Sequence, residues 1–166
     1  MLFRSGFQLW VNLPARLKMS EPDYQEFGAE KIPVETREDG VTVKVITGAT
    51  ARGAEGPVKD AAISLLYFDV DVPAGAAFEE PLAPDLAAMI AVYEGSVRVE
   101  GVSVDALGAA FLGAGDTVRI EATKDARFLL IAGRPIREPV AWHGPFVMNT
   151  EQEIRQAITD FQAGRF

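Results

Sequence analysis

The sequence predicts an all-β domain, built as an antiparallel barrel or sandwich. Seven segments of four to eight residues are rich in β-branched and aromatic residues or alternate between apolar and polar positions. Glycine-containing turn signals separate several of them, and no helical pattern lies between them. Short strands with close turns favour antiparallel pairing. The segments are residues 41–46, 63–70, 89–93, 96–100, 109–112, 117–121 and 127–132.

The composition limits the function classes. A chain of 166 residues fits one globular domain, which at this size buries roughly two thirds of its unfolded surface. The absence of cysteine excludes disulfides, thiolate metal ligands and cysteine nucleophiles. A net charge of −8, with basic residues scattered singly, disfavours direct binding of nucleic acid. No apolar run approaches the ~18 residues of a membrane span, and no secretory signal is recognisable. We therefore expect a cytoplasmic protein without membrane contacts.

The N-terminal region and one internal segment depart from the core strand pattern. Residues 8–14 predict a further strand, and residues 15–27 predict an irregular arm that follows it. Residues 48–57 are rich in glycine and alanine and lack the Gly-Lys-Ser/Thr ending of a phosphate loop. The internal segment is therefore predicted to be a flexible loop with few packing contacts.

The C-terminal region predicts a helix over about residues 150–163. Thr150 and Glu153 have the spacing of a capping box, in which each side chain accepts a hydrogen bond from the backbone of the other residue. Gly164 provides a stop after the last turn. The apolar positions with helical spacing are Ile154, Ala157, Ile158 and Phe161.

Two stretches of the sequence resemble the corresponding segments of pirins. The first is Gln-Leu-Trp-Val-Asn-Leu-Pro-Ala at residues 8–15, followed by Lys-Met at 18–19 and Glu-Pro at 21–22. The second is Gly-Pro-Phe-Val-Met-Asn-Thr at 144–150, with Phe-Gln-Ala-Gly-Arg-Phe at 161–166. The resemblance covers essentially the whole chain.

The resemblance implies an antiparallel cupin-type β-barrel, also called a jelly roll, with an N-terminal arm and a C-terminal helix. Pirins consist of two tandem cupin barrels, and the first stretch corresponds to the join between them. The expected organisation is therefore an interdomain-type arm over residues 1–30 and the second barrel with its closing helix over residues 31–166. The implied protein is a pirin whose first barrel is absent.

The two cupin motifs can be laid on the middle of the chain. The first motif runs Gly, five residues, His-x-His, three or four residues, Glu, six residues, Gly, and its spacing fits Gly75 and Gly95. The second motif runs Gly, five residues, Pro-x-Gly, two residues, His, and is anchored on Gly115. The four metal-ligand positions then fall on Pro81, Ala83, Ala88 and Val118.

None of these four side chains can donate an electron pair to a metal. A catalytic transition metal needs imidazole or carboxylate donors around an open coordination position, and the chain contains one histidine. We therefore expect no catalytic, cofactor-binding or metal-binding residues in this chain. The resemblance implies that the metal of a full pirin, one iron or a similar divalent ion, belongs to the first barrel.

An all-carboxylate site for a hard cation is the alternative. Adjacent residues on a strand point to opposite faces, so Glu79 and Glu80 would not converge. Asp69 and Asp71 would share a face, which on an alternating strand is most simply the solvent face. Asp116 is a further carboxylate in the region. A solvated acidic face is favoured over a cation site.

His143 and the strand aromatics are the remaining candidates for chemistry or ligand binding. His143 as a general base would need a nucleophile to activate, and no Gly-x-Ser-x-Gly motif is present. A structural or surface histidine is therefore favoured. The strand aromatics could line a small pocket, although filling the core is the favoured interpretation. They are Tyr67, Phe68, Tyr93, Phe111 and Phe128.

The terminal segments contain a candidate interface. In a two-barrel pirin these segments would touch the partner barrel, so a chain without that barrel would leave apolar surface uncovered. We expect association as a two-fold homodimer, with an exchanged arm of residues 7–27, or with a complementary metal-bearing barrel. The alternative is that these residues pack into their own core. The candidates are Trp10, Leu13, Trp142 and Phe146.

Three functions follow from these observations. In the first, the chain is a non-catalytic cupin module that acts through protein association. In the second, it is part of a metal-dependent pirin resembling quercetin 2,3-dioxygenases, with the metal barrel missing or on another chain. In the third, it is a barrel that binds a small molecule.

Overall fold

The computed structural model describes residues 6–59 and 62–165, which divide into two compact units. One unit is residues 23–135, and the other combines residues 6–22 with residues 136–165. Residues 1–5 of the predicted arm, and Phe166 at the end of the second pirin-like stretch, lie outside the described residues. The division predicted at residue 30 stays a prediction about domain organisation.

Within the described residues of the unit 23–135, ten strands in two sheets form an antiparallel β-barrel. One sheet has the order β1-β2-β3-β10-β5-β8 and the other β4-β9-β6-β7, and every strand pair is antiparallel. The strands are β1 Val34–Thr36, β2 Thr42–Thr47, β3 Leu66–Val72, β4 Ala77–Pro81, β5 Ala87–Glu94, β6 Ser96–Val99, β7 Val102–Asp105, β8 Ala109–Phe111, β9 Thr117–Ala122 and β10 Ala126–Gly133. The predicted all-β antiparallel barrel is confirmed.

The core of the barrel follows from the alternation along its strands. In β9, Val118, Ile120 and Ala122 are buried, whereas the residues between them are exposed. Phe78 of β4 and Phe128 of β10 meet edge to face with ring centroids 5.8 Å apart, and both are fully buried. The two inner faces therefore share one aliphatic and aromatic core.

Gly75 and Gly95 are among the glycines that turn the chain between strands of the barrel. Gly75 joins β3 to β4 at φ +83°, and Gly95 joins β5 to β6 at φ +75°. A Cβ atom on Gly95 would also collide with the backbone oxygen of Asp125. These are the two glycines on which the first cupin motif was laid.

Three strands of the barrel were not predicted: β1, β4 and β7. In β4, Glu80 takes an inward position that is normally apolar, so the strand reads Ala-Phe-Glu-Glu-Pro without visible alternation. The segment predicted at 63–70 begins as a strand only at Leu66 and continues to Val72.

The second unit contains a β-hairpin and a helix. The hairpin pairs β11 Ala141–His143 with β12 Phe146–Met148, and α1 spans Glu151–Gln162. Both hydrogen bonds of the predicted capping box are present between Thr150 and Glu153. After the helix, Gly164 at φ +67° donates to the oxygen of Phe161, and Arg165 donates to that of Asp160, as in a Schellman motif. The predicted helix is confirmed at both ends.

The prediction of a strand over residues 8–14 is wrong. This segment is irregular and leads into a 3₁₀ turn at Ala15–Leu17. Individual contacts hold it and the turn after it: the Ala15 amide donates to Glu138 Oε2 at 2.6 Å, and Lys18 Nζ donates to Asn12 Oδ1 at 2.6 Å and to the oxygen of Val147 at 2.8 Å. A Leu-Trp-Val run needs a paired neighbour to form a strand, because an extended segment has no hydrogen bonds of its own. Residues 15–27, predicted to be irregular, contain one 3₁₀ turn and no strand. Among the described helices, none has the length and hydropathy needed to span a membrane.

Candidate functional site: an aliphatic pocket in the barrel wall

The wall of the barrel opens between β6 and β9. These strands pair only at Val97 with Ala122 and at Arg98 with Glu121, and within the described residues the ladder does not continue past that point. A pocket of about 470 Å³ occupies the opening and reaches inward to β5 and the segment before it. The β6–β7 hairpin forms one side of the mouth, and β9 with the loop before it forms the other.

The inner wall of the pocket is aliphatic. Leu82 and Val118 are buried side chains that border the space, and Ala88 and Ala110 face it from β5 and β8. At the mouth, Val102 is 66 % exposed and Phe111 is 85 % exposed. The pocket therefore has an aliphatic inner wall and two exposed apolar side chains at its mouth. Leu86, Val99, Val104 and Leu112 complete the inner wall.

Four charged side chains surround the mouth, and they are not equivalent. Arg119 donates to Glu79 at 2.9 Å and to Glu121 at 3.3 Å, and these hydrogen bonds raise the pKa of its guanidinium. Arg98 stands opposite Glu121 in the β6–β9 register, but the Glu121 carboxylate binds Arg119. Among the described residues, the Arg98 guanidinium has no carboxylate partner. Glu100 is the fourth charge.

The four positions assigned by the cupin motifs do not all face this pocket. Ala88 and Val118 line it, whereas Pro81 and Ala83 are exposed and lie outside its wall. Leu82, which lies between them, takes the inward position because Phe78 and Glu80 set the inward phase of the segment. The glycines of the motif thus coincide with turns, but the inward-facing residue of this segment is Leu82, one position away from the ligand positions that the motif assigned.

The inner wall of the pocket does not fit the metal that a cupin barrel can hold. Leucine, alanine and valine offer no lone pair, and they occupy the inward positions on β5, on β9 and on the segment after β4. Across the described ranges, no group of three or more histidine, aspartate or glutamate residues is placed to hold a metal ion.

Glu79 and Glu80 point to opposite faces, as the strand geometry predicts. Glu79 is exposed and binds Arg119. Glu80 is 2 % exposed, and its two oxygens accept from Arg37 Nη2 at 2.6 Å and from the Ala51 amide at 2.5 Å. The buried carboxylate is thus committed to an arginine and a backbone amide.

Arg37 is the centre of a buried network that the sequence analysis missed. Its guanidinium donates to Glu35 at 2.8 Å and to the backbone oxygen of Glu79 at 2.6 Å, and it stacks 4.7 Å from the ring centroid of Phe78. Thr50 donates to the second oxygen of Glu35 at 2.5 Å. The network attaches the loop of residues 48–57 to the barrel, so the prediction that this loop packs poorly is wrong. No feature of the isolated sequence connects Arg37 with Glu80, which lie 43 positions apart.

Asp69 and Asp71 share a face of β3 and bind cationic or hydroxyl groups. Asp69 accepts from the Tyr93 hydroxyl at 2.5 Å and from Lys44 at 3.2 Å, and Asp71 accepts from Arg127 at 2.8 Å. Burial raises the pKa of Tyr93, and the hydrogen bond to Asp69 raises it further. These contacts agree with a charge-balanced outer face. Asp116 is exposed and accepts from the Thr117 hydroxyl.

The remaining candidate side chains have separate positions. His143 is exposed and stands opposite Phe146 in the hairpin. Phe68 and Phe128 are fully buried and fill the core, whereas Phe111 borders the pocket. Burial raises the pKa of Tyr67, which is half-buried on β3, and the Asp69 charge adds to the effect.

The four candidate interface residues all belong to the second unit. Trp10 is 69 % exposed and Trp142 is 74 % exposed, with its indole N–H donating to the oxygen of Gly144. Leu13 is also exposed. Phe146 is half-buried and meets Phe161 edge to face at 5.9 Å. Three of the four therefore leave much of their apolar surface accessible in this chain.

Comparison with known protein families matches residues 67–166 to the pirin C-terminal cupin domain. The chain belongs to the pirin family. A pirin-like protein of Caulobacter vibrioides is 65% identical over 161 residues, which is 97% of this chain and 58% of that protein. Human pirin is 43% identical over 95% of this chain and 55% of its own length. The chain thus spans somewhat more than half the length of the curated pirins that it matches.

The solved structures show the same relation. A quercetin 2,3-dioxygenase from Acinetobacter baumannii superposes with a TM-score of 0.87 at 34% identity, over 95% of this pirin chain and 55% of the other protein. The resemblance to pirins and the predicted cupin-type barrel are confirmed.

Proposed function

We propose that this chain is a cupin module of a pirin that has no metal site of its own, is non-catalytic by itself and acts through protein association. A cytoplasmic location, and association as a homodimer or with a complementary metal-bearing barrel, are parts of the same proposal. The observation that carries it is the inner wall of the pocket, where Leu82, Ala88 and Val118 replace the donors that metal chemistry needs.

The hydrogen bonding of the buried Glu80 carboxylate supports the proposal. A carboxylate can serve as a metal ligand or general base only if its lone pairs are available to the reacting group. Both oxygens of Glu80 are hydrogen-bonded away from the pocket, to Arg37 and to Ala51. The Glu80 carboxylate is therefore committed to its partners Arg37 and Ala51 and is not available to a metal or a reacting group.

The exposed aromatic side chains of the second unit support the association part. Large apolar side chains that stay exposed in one chain commonly mark an interaction surface. Trp10 and Trp142 are the largest of these, and Trp10 lies in the segment of residues 8–15 that resembles the join between pirin barrels.

Elemental analysis tests the metal part of the proposal. The chain is expressed in medium supplemented with iron, nickel and copper, purified without chelator, and measured by plasma mass spectrometry. We expect metal far below one equivalent, and no dioxygen-dependent loss of quercetin absorbance. Stoichiometric metal, or quercetin turnover by the chain alone, would overturn the proposal.

Light scattering after gel filtration tests the association part. We expect a dimer at micromolar concentration, and we expect Trp142→Ser together with Trp10→Ser to shift it towards monomer. Tyr24→Ser is the matched control, because Tyr24 is 84% exposed but belongs to the other unit. A monomeric wild-type chain would contradict homodimerisation.

A second candidate function is that the chain is the metal-free half of a quercetin 2,3-dioxygenase-like pirin. It is favoured by the similarity to the Acinetobacter baumannii enzyme, of which this chain spans 55%. Co-expression with the part of the Caulobacter vibrioides relative that this chain does not match would test it. Quercetin turnover that appears only in the co-expressed pair would support this candidate, and inactive pairs that copurify would contradict it.

A further inference from the structure

The pocket between β6 and β9 has three properties that together indicate a ligand. It is open to solvent, its interior is aliphatic, and its volume of about 470 Å³ falls in the ~300–1,000 Å³ range of small-molecule sites. Water in such a space would contact Leu82, Ala88 and Val118, which offer no hydrogen bonds. An apolar guest removes this unfavourable contact.

The mouth of the pocket indicates how the guest is oriented. Val102 and Phe111 border the pocket and leave most of their apolar surface exposed, which suits the passage of an apolar chain. Arg98 borders the same mouth, and among the described residues no carboxylate pairs with it. A guanidinium in this position suits an anionic group that stays at the surface.

We propose that this pocket binds a single-chain amphiphile with a carboxylate head, its alkyl chain against Leu82, Ala110 and Val118 and its head at Arg98. The neighbouring charges define the specificity. Arg119 is engaged by Glu79 and Glu121, so Arg98 is the guanidinium left for the head group. Glu100 and Glu121 at the rim repel any second negative charge, so a head with one charge is preferred over a phosphate.

The inference develops the small-molecule function and does not depend on the proposed metal-free role. Stoichiometric metal in the purified chain would contradict that role and leave amphiphile binding unaffected. Failure of amphiphile binding would leave the metal-free role unaffected.

The first test is a chain-length series by isothermal titration calorimetry, with octanoate, decanoate and dodecanoate used as monomers below their micelle concentrations. Each added methylene is expected to tighten binding about fourfold while the pocket has room for it. Absence of saturable binding, or affinity independent of chain length, would overturn the proposal.

The second test separates the pocket from the rest of the surface. Ala110→Leu fills the interior, and Ala109→Leu adds the same side chain on the exposed face of the same strand. We expect the first variant to lose most decanoate binding and the second to keep it. Circular dichroism verifies that both variants are folded. Equal affinities in two folded variants would refute the assigned pocket.

The third test concerns the head group and uses surface variants that leave the core intact. Arg98→Gln is expected to weaken decanoate binding about tenfold and to leave decanol binding unchanged. Arg127→Gln is the control, because Arg127 pairs with Asp71 on another part of the barrel. Decanoate binding that is insensitive to Arg98→Gln, or decylamine binding as tight as decanoate binding, would contradict the role of Arg98.

Discussion

Replacement of Arg37 is the sharpest test of what holds the barrel together. Its side chain is 4 % exposed and forms charged hydrogen bonds to Glu35 at 2.8 Å and to Glu80 at 2.6 Å. Arg37→Met keeps an apolar stem beside Phe78 but leaves the buried Glu80 carboxylate without its cation, and leaves Glu35 with the more distant Arg52, whose Nε lies 3.9 Å from Oε1. Breaking a buried ion pair by removing one partner costs about 3–5 kcal/mol, so the free energy of unfolding is expected to fall by that amount.

The assay is urea unfolding followed by far-ultraviolet circular dichroism. Both tryptophans, Trp10 and Trp142, belong to the other unit, so tryptophan fluorescence would not report on the barrel. An unchanged dependence of the unfolding free energy on urea concentration would confirm that the change lies in stability. The double variant Arg37→Met with Glu80→Gln is expected to recover part of the loss, because it removes the stranded charge of Glu80.

The matched control is Arg119→Met, which removes an arginine that also contacts two carboxylates. Arg119 is 58% exposed, so solvent screens its pairs with Glu79 and Glu121, and the expected loss of stability is much smaller than that of Arg37→Met. If Arg37→Met costs no more than Arg119→Met, the buried network does not stabilise the barrel and this reasoning is refuted.

Three further predictions concern local structure. Thr150→Ala removes the helix cap and is expected to cost about 1 kcal/mol by thermal unfolding, whereas an unchanged midpoint would show that the capping box is dispensable. Hydrogen bonds from Thr150 and the backbone lower the pKa of Glu153, so its contribution to stability is present above the ordinary glutamate pKa of 4.5 and is lost as the pH falls through its lowered folded value. Glu153→Gln should remove that acid-side loss in a pH series of thermal midpoints, and an identical pH profile would contradict it. Gly95→Ala and Gly101→Ala both place alanine at positive φ, but only Gly95 lies against the backbone oxygen of Asp125. Gly95→Ala should therefore lower the free energy of unfolding more than Gly101→Ala, for which we expect a loss of about 1 kcal/mol. Equal losses in urea unfolding would show that the backbone around Asp125 shifts to make room for the added Cβ atom.

The elements that the sequence predicted well are those in which local pattern and tertiary contact agree. The capping box predicted α1 because its hydrogen bonds are local, and β9 was visible because inward and outward residues alternate without exception. Residues 8–14 have strand-like side chains but no strand beside them, so the local preference was overruled. In β4, the buried Glu80 concealed the alternation, and its burial is made favourable by two groups distant in sequence, Arg37 and the Ala51 amide.

The candidate site was predictable in composition but not in shape. Motif spacing indicated that aliphatic residues replace ligands, and Ala88 and Val118 do line the pocket. Whether residue 81 or residue 82 faces inward depends on the phase set by Phe78 and Glu80, which counting from a glycine does not reveal. The opening exists because the β6–β9 ladder ends after Arg98 and Glu121, and no local sequence signal marks that end.

The polar groups of the barrel are distributed so that the pocket and the buried charges do not meet. Glu80 and Arg37 are the charged residues with the lowest exposure in the described part of the chain, and neither borders the pocket. The pocket wall is aliphatic, and its charges stand at the mouth, where water still reaches them. A metal site would need donor side chains inside the pocket, with apolar residues around them. In this barrel the inner wall of the pocket is aliphatic, and the charged side chains stand at its mouth. The same turn glycines, Gly75 and Gly95, thus support an interior suited to an apolar guest.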